Sequence, residues 1–246
     1  GYPMLGASLG GMIGGAIDPP KGPDIKGPRL NDLSVQSSSY GQVIPRVYGT
    51  VALAGNVFWI ENNALAEHEK TEEQGGKGGG GGATTTSYWY SSTFALGLCE
   101  GPIEGIRRIW VSGKLIYDAG SSDVNTIIAS NLAMMSVNAM MSGIGSAKNN
   151  DASPAADASP KWTLYYGDNT QTANPRMEAT LGVGNVPGYR GLAYIVFEDF
   201  DLTNYGNSLM GAQFKVEVIT DASYASSNAT QCDFITPTTG DVHLSH

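Results

Sequence analysis

Charge is scarce in this chain. Only 15% of its 246 residues are Asp, Glu, Lys or Arg, where ordinary soluble domains carry about 25%, so large solvated helical faces are not expected. Cysteine is nearly absent. Cys99 and Cys232 cannot build a disulfide framework, and so distant a pair fits two buried thiols better than a bridge. The three histidines, His68, His243 and His246, fall in polar or terminal segments without H-E-x-x-H or paired C-x-x-C spacing, which argues against a zinc site. No metal or other cofactor is expected. Basic residues number 14 against 23 acidic, a formal charge of −9, so the counterion-release attraction that holds proteins on a phosphate backbone is missing. Long apolar runs are missing too. Residues 4–17 are apolar, but the run falls short of the roughly 20 residues that cross a bilayer, and no basic residue precedes it as in a secretory signal.

What the chain has in excess is glycine, 33 residues, and the punctuation that goes with it. Residues 1–28 read as a Gly/Pro-rich N-terminal arm. Gly6, Gly10 and Gly14 repeat at four-residue spacing, as do Gly11 and Gly15, which would allow close backbone approach in a helix. Four prolines between residues 18 and 28 then rule out a helix or a central strand. The folded part is expected to begin near Arg29 and run to about residue 220, with residues 221–246 a polar segment or the start of a further domain.

Alternating apolar residues predict strands over 30–35, 43–60, 84–98, 106–117, 162–166, 191–197 and 213–219. Gly49 and Gly55 mark a bend, a bulge or a hairpin, and Ser112-Gly113-Lys114 a tight turn. Residues 61–87, acidic and then glycine-rich, read as a mobile loop insertion. A second insertion spans 119–160. It holds a helix that Asp123 caps and Gly143 ends, apolar almost all round its axis, and then a polar linker. Ile128, Leu132 and Met135 on one side would face the home domain. Ile127, Met134, Val137 and Met141 on the other are the candidate interface. The fold class is mainly β with a minor helical part, an α+β chain of antiparallel sheets or barrel-like domains.

Motifs for chemistry are weak. Gly6-Ala7-Ser8-Leu9-Gly10 fits the nucleophile-elbow pattern, yet no strand–turn–helix context surrounds Ser8. Lys77 sits in a Gly-rich run but is followed by Gly instead of the Ser or Thr that a phosphate loop needs for Mg²⁺. Glu198-Asp199-Phe200-Asp201 would set Glu198 and Phe200 on one face of a strand and Asp199 and Asp201 on the other, a solvated strand end more than a Ca²⁺ loop. Asn228-Ala229-Thr230 fits a glycosylation pattern that says nothing without a secretory route. An enzyme is not expected.

Three blocks carry a resemblance. Pro45-Arg46-Val47-Tyr48-Gly49-Thr50-Val51 continues into Ala54-Gly55-Asn56-Val57-Phe58-Trp59. Leu98-Cys99-Glu100-Gly101-Pro102-Ile103 is followed by Gly105-Ile106-Arg107-Arg108-Ile109-Trp110. Tyr189-Arg190-Gly191 leads through Phe197-Glu198-Asp199 to Tyr205-Gly206-Asn207. In order and spacing the chain resembles the N-terminal hub region of the large tail-tip or host-specificity proteins of long-tailed phages and gene transfer agents. Those proteins are usually several times longer.

The resemblance implies a homotrimer of mixed β-domains that closes the distal end of a tail tube. Its partners would be the distal tail protein, the tape measure protein and tail fibres, with DNA passing through without specific binding. The N-terminal arm is then a candidate to touch membrane or tape measure. The implied place is the virion tail tip, after assembly in the bacterial host cytoplasm. By the same resemblance Pro45, Arg46, Tyr48, Gly49, Gly55, Trp59, Cys99, Glu100, Gly101, Pro102, Trp110, Tyr189, Arg190, Gly191, Phe197, Glu198, Asp199, Gly206 and Asn207 have structural roles. The alternative is a cell-surface or glycan-binding adhesin module, with Tyr88, Trp89, Tyr90 and Trp59 as a stacking group. A hydrolase resting on Ser8 is a third and weaker class.

Overall fold

Strand β5 (Ala83–Glu100), 18 residues long, is the spine of the molecule, and its C-terminal half, from Tyr90 to Cys99, is buried without a break. The computed structural model describes residues 23–30, 33, 43–74, 83–143 and 160–220, with the side chains of all but 74 and 138–143. Around β5 gathers a six-stranded sheet that also contains β1 (Asp24–Lys26), β3 (Asn56–Ile60), β4 (Ala66–Gln74), β8 (Lys161–Tyr165) and β9 (Leu192–Asp201). A four-stranded sheet is ordered β2 (Thr50–Leu53), β10 (Phe214–Ile219), β6 (Gly105–Val111), β7 (Lys114–Asp118). Two α-helices complete the described part, α1 (Val124–Gly143) and α2 (Pro175–Leu181). The fold is therefore β-rich α+β as expected. Both sheets are open, with no closed barrel among the described residues, and β1 runs parallel to β5 where antiparallel pairing was expected.

β9 is central, hydrogen-bonded to β5 on one side and β8 on the other. A strand so enclosed must be apolar on both faces. Ala193, Ile195 and Phe197 enter the main core with Phe94, Leu96 and Leu98 of β5, Trp162 and Leu164 of β8, and Ile106, Ile109, Val111, Phe214, Val216 and Val218 of the small sheet. Tyr194 and Val196 enter a second cluster with Trp59, Ala95, Met177 of α2 and Val186. The six-stranded sheet is thus covered by the small sheet and α1 on one face, and by α2 with the segment after it on the other.

Local chemistry explains several boundaries. Asp123 accepts the Thr126 amide at 2.9 Å and so caps α1. Ser112 (φ 49°) and Gly113 (φ 84°) make the turn between β6 and β7, the two successive positive φ values of a type I′ hairpin. Asn174 caps α2 through the Met177 amide, with Pro175 in the first turn.

Four expectations need correction. Residues 61–87 are not one loop: a 3-10 turn (Glu61–Asn63) is followed by β4, which pairs along its length with β5 from Ala66↔Ser91 to Gln74↔Ala83. The folded part includes residues before Arg29, because Asp24–Lys26 forms an edge strand. Residues 54–55 make no hairpin. β2 belongs to the small sheet and β3 to the large one, so the chain changes sheets there. No strand is formed at Leu30 or Leu33, the described residues of the expected 30–35 strand.

The β4–β5 register predicts an engineering result. Gln74 and Ala83 are paired, so Asn-Gly can replace residues 75–82 as a two-residue hairpin turn. Shortening the closure should raise stability by about 1 kcal/mol through loop entropy, read as a higher denaturation midpoint. Loss of soluble protein would show that the removed residues are structural.

Candidate functional site

The three sequence blocks, far apart along the chain, meet at the C-terminal end of β5. Glu100 donates its amide to Pro45 O at 2.9 Å, and its carboxylate takes Arg46 Nη2 at 2.7 Å. Both side chains are nearly half exposed, 44% and 47%, so the ion pair itself is worth little; the backbone contact sets the position. One residue on, Gly101 donates to Gly191 O at 2.9 Å, and Gly191 donates to Gly167 O at 3.1 Å. Gly101 and Gly167 touch backbone to backbone: a Cβ on Gly101 would lie 2.6 Å from Tyr166 O, and one on Gly167 2.8 Å from the Gly101 Cα. The Gly101–Pro102 peptide is cis.

Gln171 locks this junction. It is buried, accepts the Gly167 amide at 2.7 Å, and donates to Gly188 O and Tyr189 O, each at 2.8 Å. Arg190 Nε in turn donates to Gln171 O at 3.3 Å. Pro45, Glu100, Gly101, Tyr189, Arg190 and Gly191 thus meet in one backbone crossing. Gly49 reaches the same end from the small sheet, its carbonyl taking the Thr220 amide at 3.0 Å.

Other motif residues sit apart. Trp59 is buried in the second cluster, while Gly55 leaves room for the Leu96 side chain of the main core. Cys99 is fully buried and free, and burial pushes its thiol up to about 11, which makes it inert. Cys232 lies outside the described residues. Tyr48 is 43% exposed. Trp110 is half-buried on the outer face of the small sheet beneath the Lys215 ammonium, 5.4 Å from the ring centroid. Tyr189 packs edge-on against Phe58, centroids 5.0 Å apart. Gly206 and Asn207 both take positive φ after a 3-10 turn (Thr203–Tyr205).

The acidic run at the end of β9 is not a regular strand face. Phe197 pairs with Phe94 but Phe200 with Ser92, so Glu198 and Asp199 together oppose Thr93 in a bulge. Asp199 has φ 48°, and its amide donates to Thr93 Oγ1 at 3.0 Å. The extra residue turns Phe200 inward beside Phe197, which overturns the expected placing of Glu198 with Phe200. Among the described residues no group of three or more His, Cys, Asp or Glu could hold a metal ion. Ser8, Lys77, Asn228, His243 and His246 lie outside the described residues.

The helix α1 corrects the expected interface. Ile127, 1% exposed, is in the main core, and Met134 packs against it, so both face the home domain. Leu132 at 51% and Val137 at 53% are exposed; the Met141 side chain lies outside the described residues. The side facing inward holds Asn131, 0% exposed, which the pattern of apolar residues did not single out. Its amide accepts the Ile106 N–H and donates to the Ile106 carbonyl, both at 2.8 Å, and donates to Tyr117 Oη at 2.7 Å.

The glycan-stacking group is not assembled either. Tyr90 and Trp59 are 1% and 8% exposed and lie in different clusters. Trp89 stacks flat on His68 at 3.8 Å, and His68 Nε2 shares a hydrogen bond with the buried Ser91 Oγ at 2.8 Å. Desolvation there holds the imidazole below its ordinary pKa, partly offset by Asp199 and Asp201. A depressed folded-state value means the unfolded chain takes the proton first. His68 therefore contributes stability that is complete above about pH 6.5 and lost as pH falls through the folded pKa. His68→Phe keeps a ring on Trp89 and should flatten that part of the stability–pH curve, with exposed carboxylates dominating only at lower pH. An unchanged slope would mean that the imidazole is freely hydrated in the folded protein.

No protein-family model and no curated protein matches this chain. A chain of a solved structure described as the virion of a native gene transfer agent particle is similar to it, with 24% identity and a TM-score of 0.44. The similarity covers 89% of this chain and 37% of that one, so this chain spans little more than a third of its length.

Proposed function

We propose that this chain is a structural virion protein of the tail-tip hub class: a homotrimeric subunit that closes the distal end of a tail tube and does no chemistry of its own. Its partners on this reading are the distal tail protein, the tape measure protein and tail fibres, and DNA leaves through the assembly without specific binding. The observation that carries it is the meeting of the three hub-like blocks. Residues 45–46, 100–101 and 189–191, which carry the resemblance, build one backbone crossing at the end of β5. Such a crossing is what a shared scaffold requires, and its groups are used up in holding backbone against backbone.

The adhesin alternative loses its main support, because its four aromatic residues are divided between two clusters and a histidine stack. Labelling the chain with an epitope tag in intact particles and locating it by electron microscopy tests the proposal. Density at the tip, in three copies, is expected. Label on the capsid or only on free protein would overturn it.

A further inference from the structure

We propose that the outer face of the four-stranded sheet receives the β4–β5 arm of a second copy of this chain, so that copies join head to tail. The inference rests on the trimer reading and gives it a contact. Strand alternation places Arg108 and Trp110 of β6, Lys215 and Glu217 of β10 and Leu115 of β7 on the side away from the core. The anions there are already used. Glu217 takes Arg107 at 3.4 Å and Arg108 at 3.7 Å, and Asp118 takes Arg108 at 3.1 Å. Lys215 is the surplus cation: it is exposed, lies over the Trp110 ring and forms no ion pair among the described residues. A half-buried indole, Leu115 at 45% exposure and the Lys215 ammonium above the ring make a face of apolar surface that carries one surplus positive charge.

The complement is on the same chain. All nine residues of β4 pair with β5 from Ala83 to Ser91, and β9 reaches only as far as Ser91. The hairpin therefore projects beyond β9, by roughly 30 Å at the usual strand rise. β4 is an edge strand, with β5 as its one strand partner, and it carries exposed Glu69, Glu72 and Glu73. Glu67 is held by Arg29 at 2.6 Å and Glu72 by Lys70 at 2.7 Å, which leaves Glu69 and Glu73, on one strand face, without an ion pair among the described residues. Opposite charge decides orientation and partner choice in such contacts. A second copy fits because face and arm lie on different elements of one chain. That arrangement is heterologous, and it closes into a ring when the rotation permits.

Sedimentation of the full chain over a range of concentrations, at low and high salt, tests this. Lys215→Glu, and separately Glu69→Lys with Glu73→Lys, should each weaken self-association by roughly tenfold or more. Combining the reversals in one chain should restore it. If Lys215→Glu fails to fold, Lys215→Gln carries the same test with a smaller loss. Self-association unchanged in both single-sided variants overturns this contact and leaves the trimer standing. A wild-type chain that stays monomeric at every concentration overturns the trimer reading and the contact together. Loss of binding to a short DNA duplex by Lys215→Glu, with assembly unaltered, would make the face a polyanion site and also overturn the proposal.

Discussion

Asn131→Leu is expected to cost the protein about 3–5 kcal/mol, although the side chain keeps its volume and gains hydrophobicity. The residue replaces a strand. Beside Ile106 the β6–β10 register slips between Glu217 and Val218, and it is the Asn131 amide, approaching from α1, that satisfies both the Ile106 N–H and its carbonyl at 2.8 Å. The second Nδ2 proton goes to Tyr117 Oη at 2.7 Å. Leucine leaves two buried backbone groups and a hydroxyl without partners, at about 1–3 kcal/mol each before relaxation. Because the helix packs on β6 through this contact, α1 should loosen first. Urea denaturation should show a lower midpoint with an unchanged slope. Adding Tyr117→Phe to Asn131→Leu should cost less than Tyr117→Phe alone, since the hydroxyl has then already lost its donor; additive costs would remove the amide from the network.

That residue also marks the limit of what the sequence discloses. Elements whose own side chains dictate their state were readable. β9 alternates correctly, with Ala193, Ile195 and Phe197 on one face and Tyr194 and Val196 on the other, because burial on both sides demands apolar residues at every step. The Asp123 cap and the Ser112-Gly113 turn were readable for the same local reason. What stayed hidden depends on partners distant in sequence. β4 is rich in Glu, with one each of His, Lys and Thr, and buries little of itself; it is a strand because β5 offers a ladder, and its composition alone reads as loop. β1 is held the same way, by three parallel pairs. α2 carried a signal that could have been found, Asn174 followed by Pro175 and closed by Gly182.

The helix faces were only partly legible: Val137 is exposed and Met135 packs on the core as expected, whereas Ile127 and Met134 face inward and Leu132 outward. α1 is apolar nearly all round, so its pattern named two sides and could not rank them. The structure ranks them by what lies opposite: Ile127, Asn131 and Met134 meet β6 and the core, while Leu132 and Val137 face outward. A buried asparagine among methionines decides the orientation, since only that side gives its amide a backbone to pair with.

Gly167→Ala should be at least as damaging as the loss of Asn131, and through one methyl group. Two independent costs fall on the same atom. Gly167 has φ 82°, a conformation in which an L-residue is strained by about 1 kcal/mol or more. Its added Cβ would also lie 2.8 Å from the Gly101 Cα, 2.9 Å from the Ala193 nitrogen and 3.0 Å from the Leu192 carbonyl carbon. All three neighbours are backbone, fixed by β5, β9 and the Gly101–Gly191–Gly167 chain of hydrogen bonds, so none can rotate out of the way as a side chain would. Relief requires the loop to lift from β5, which breaks the Gly167–Gln171 bond at 2.7 Å and leaves a buried glutamine amide short of a partner. Strain of this kind in a packed site costs about 3 kcal/mol or more. Among the described residues the junction joins all three sequence blocks, so the loss should be global: a lower midpoint for the whole molecule, with near-UV and far-UV signals falling together. Thr50→Ala, in an exposed position on the edge strand β2, serves as the control and should stay within about 0.5 kcal/mol of the parent. If Gly167→Ala matched that control, the close approach of these backbones would not be a feature of the folded protein in solution.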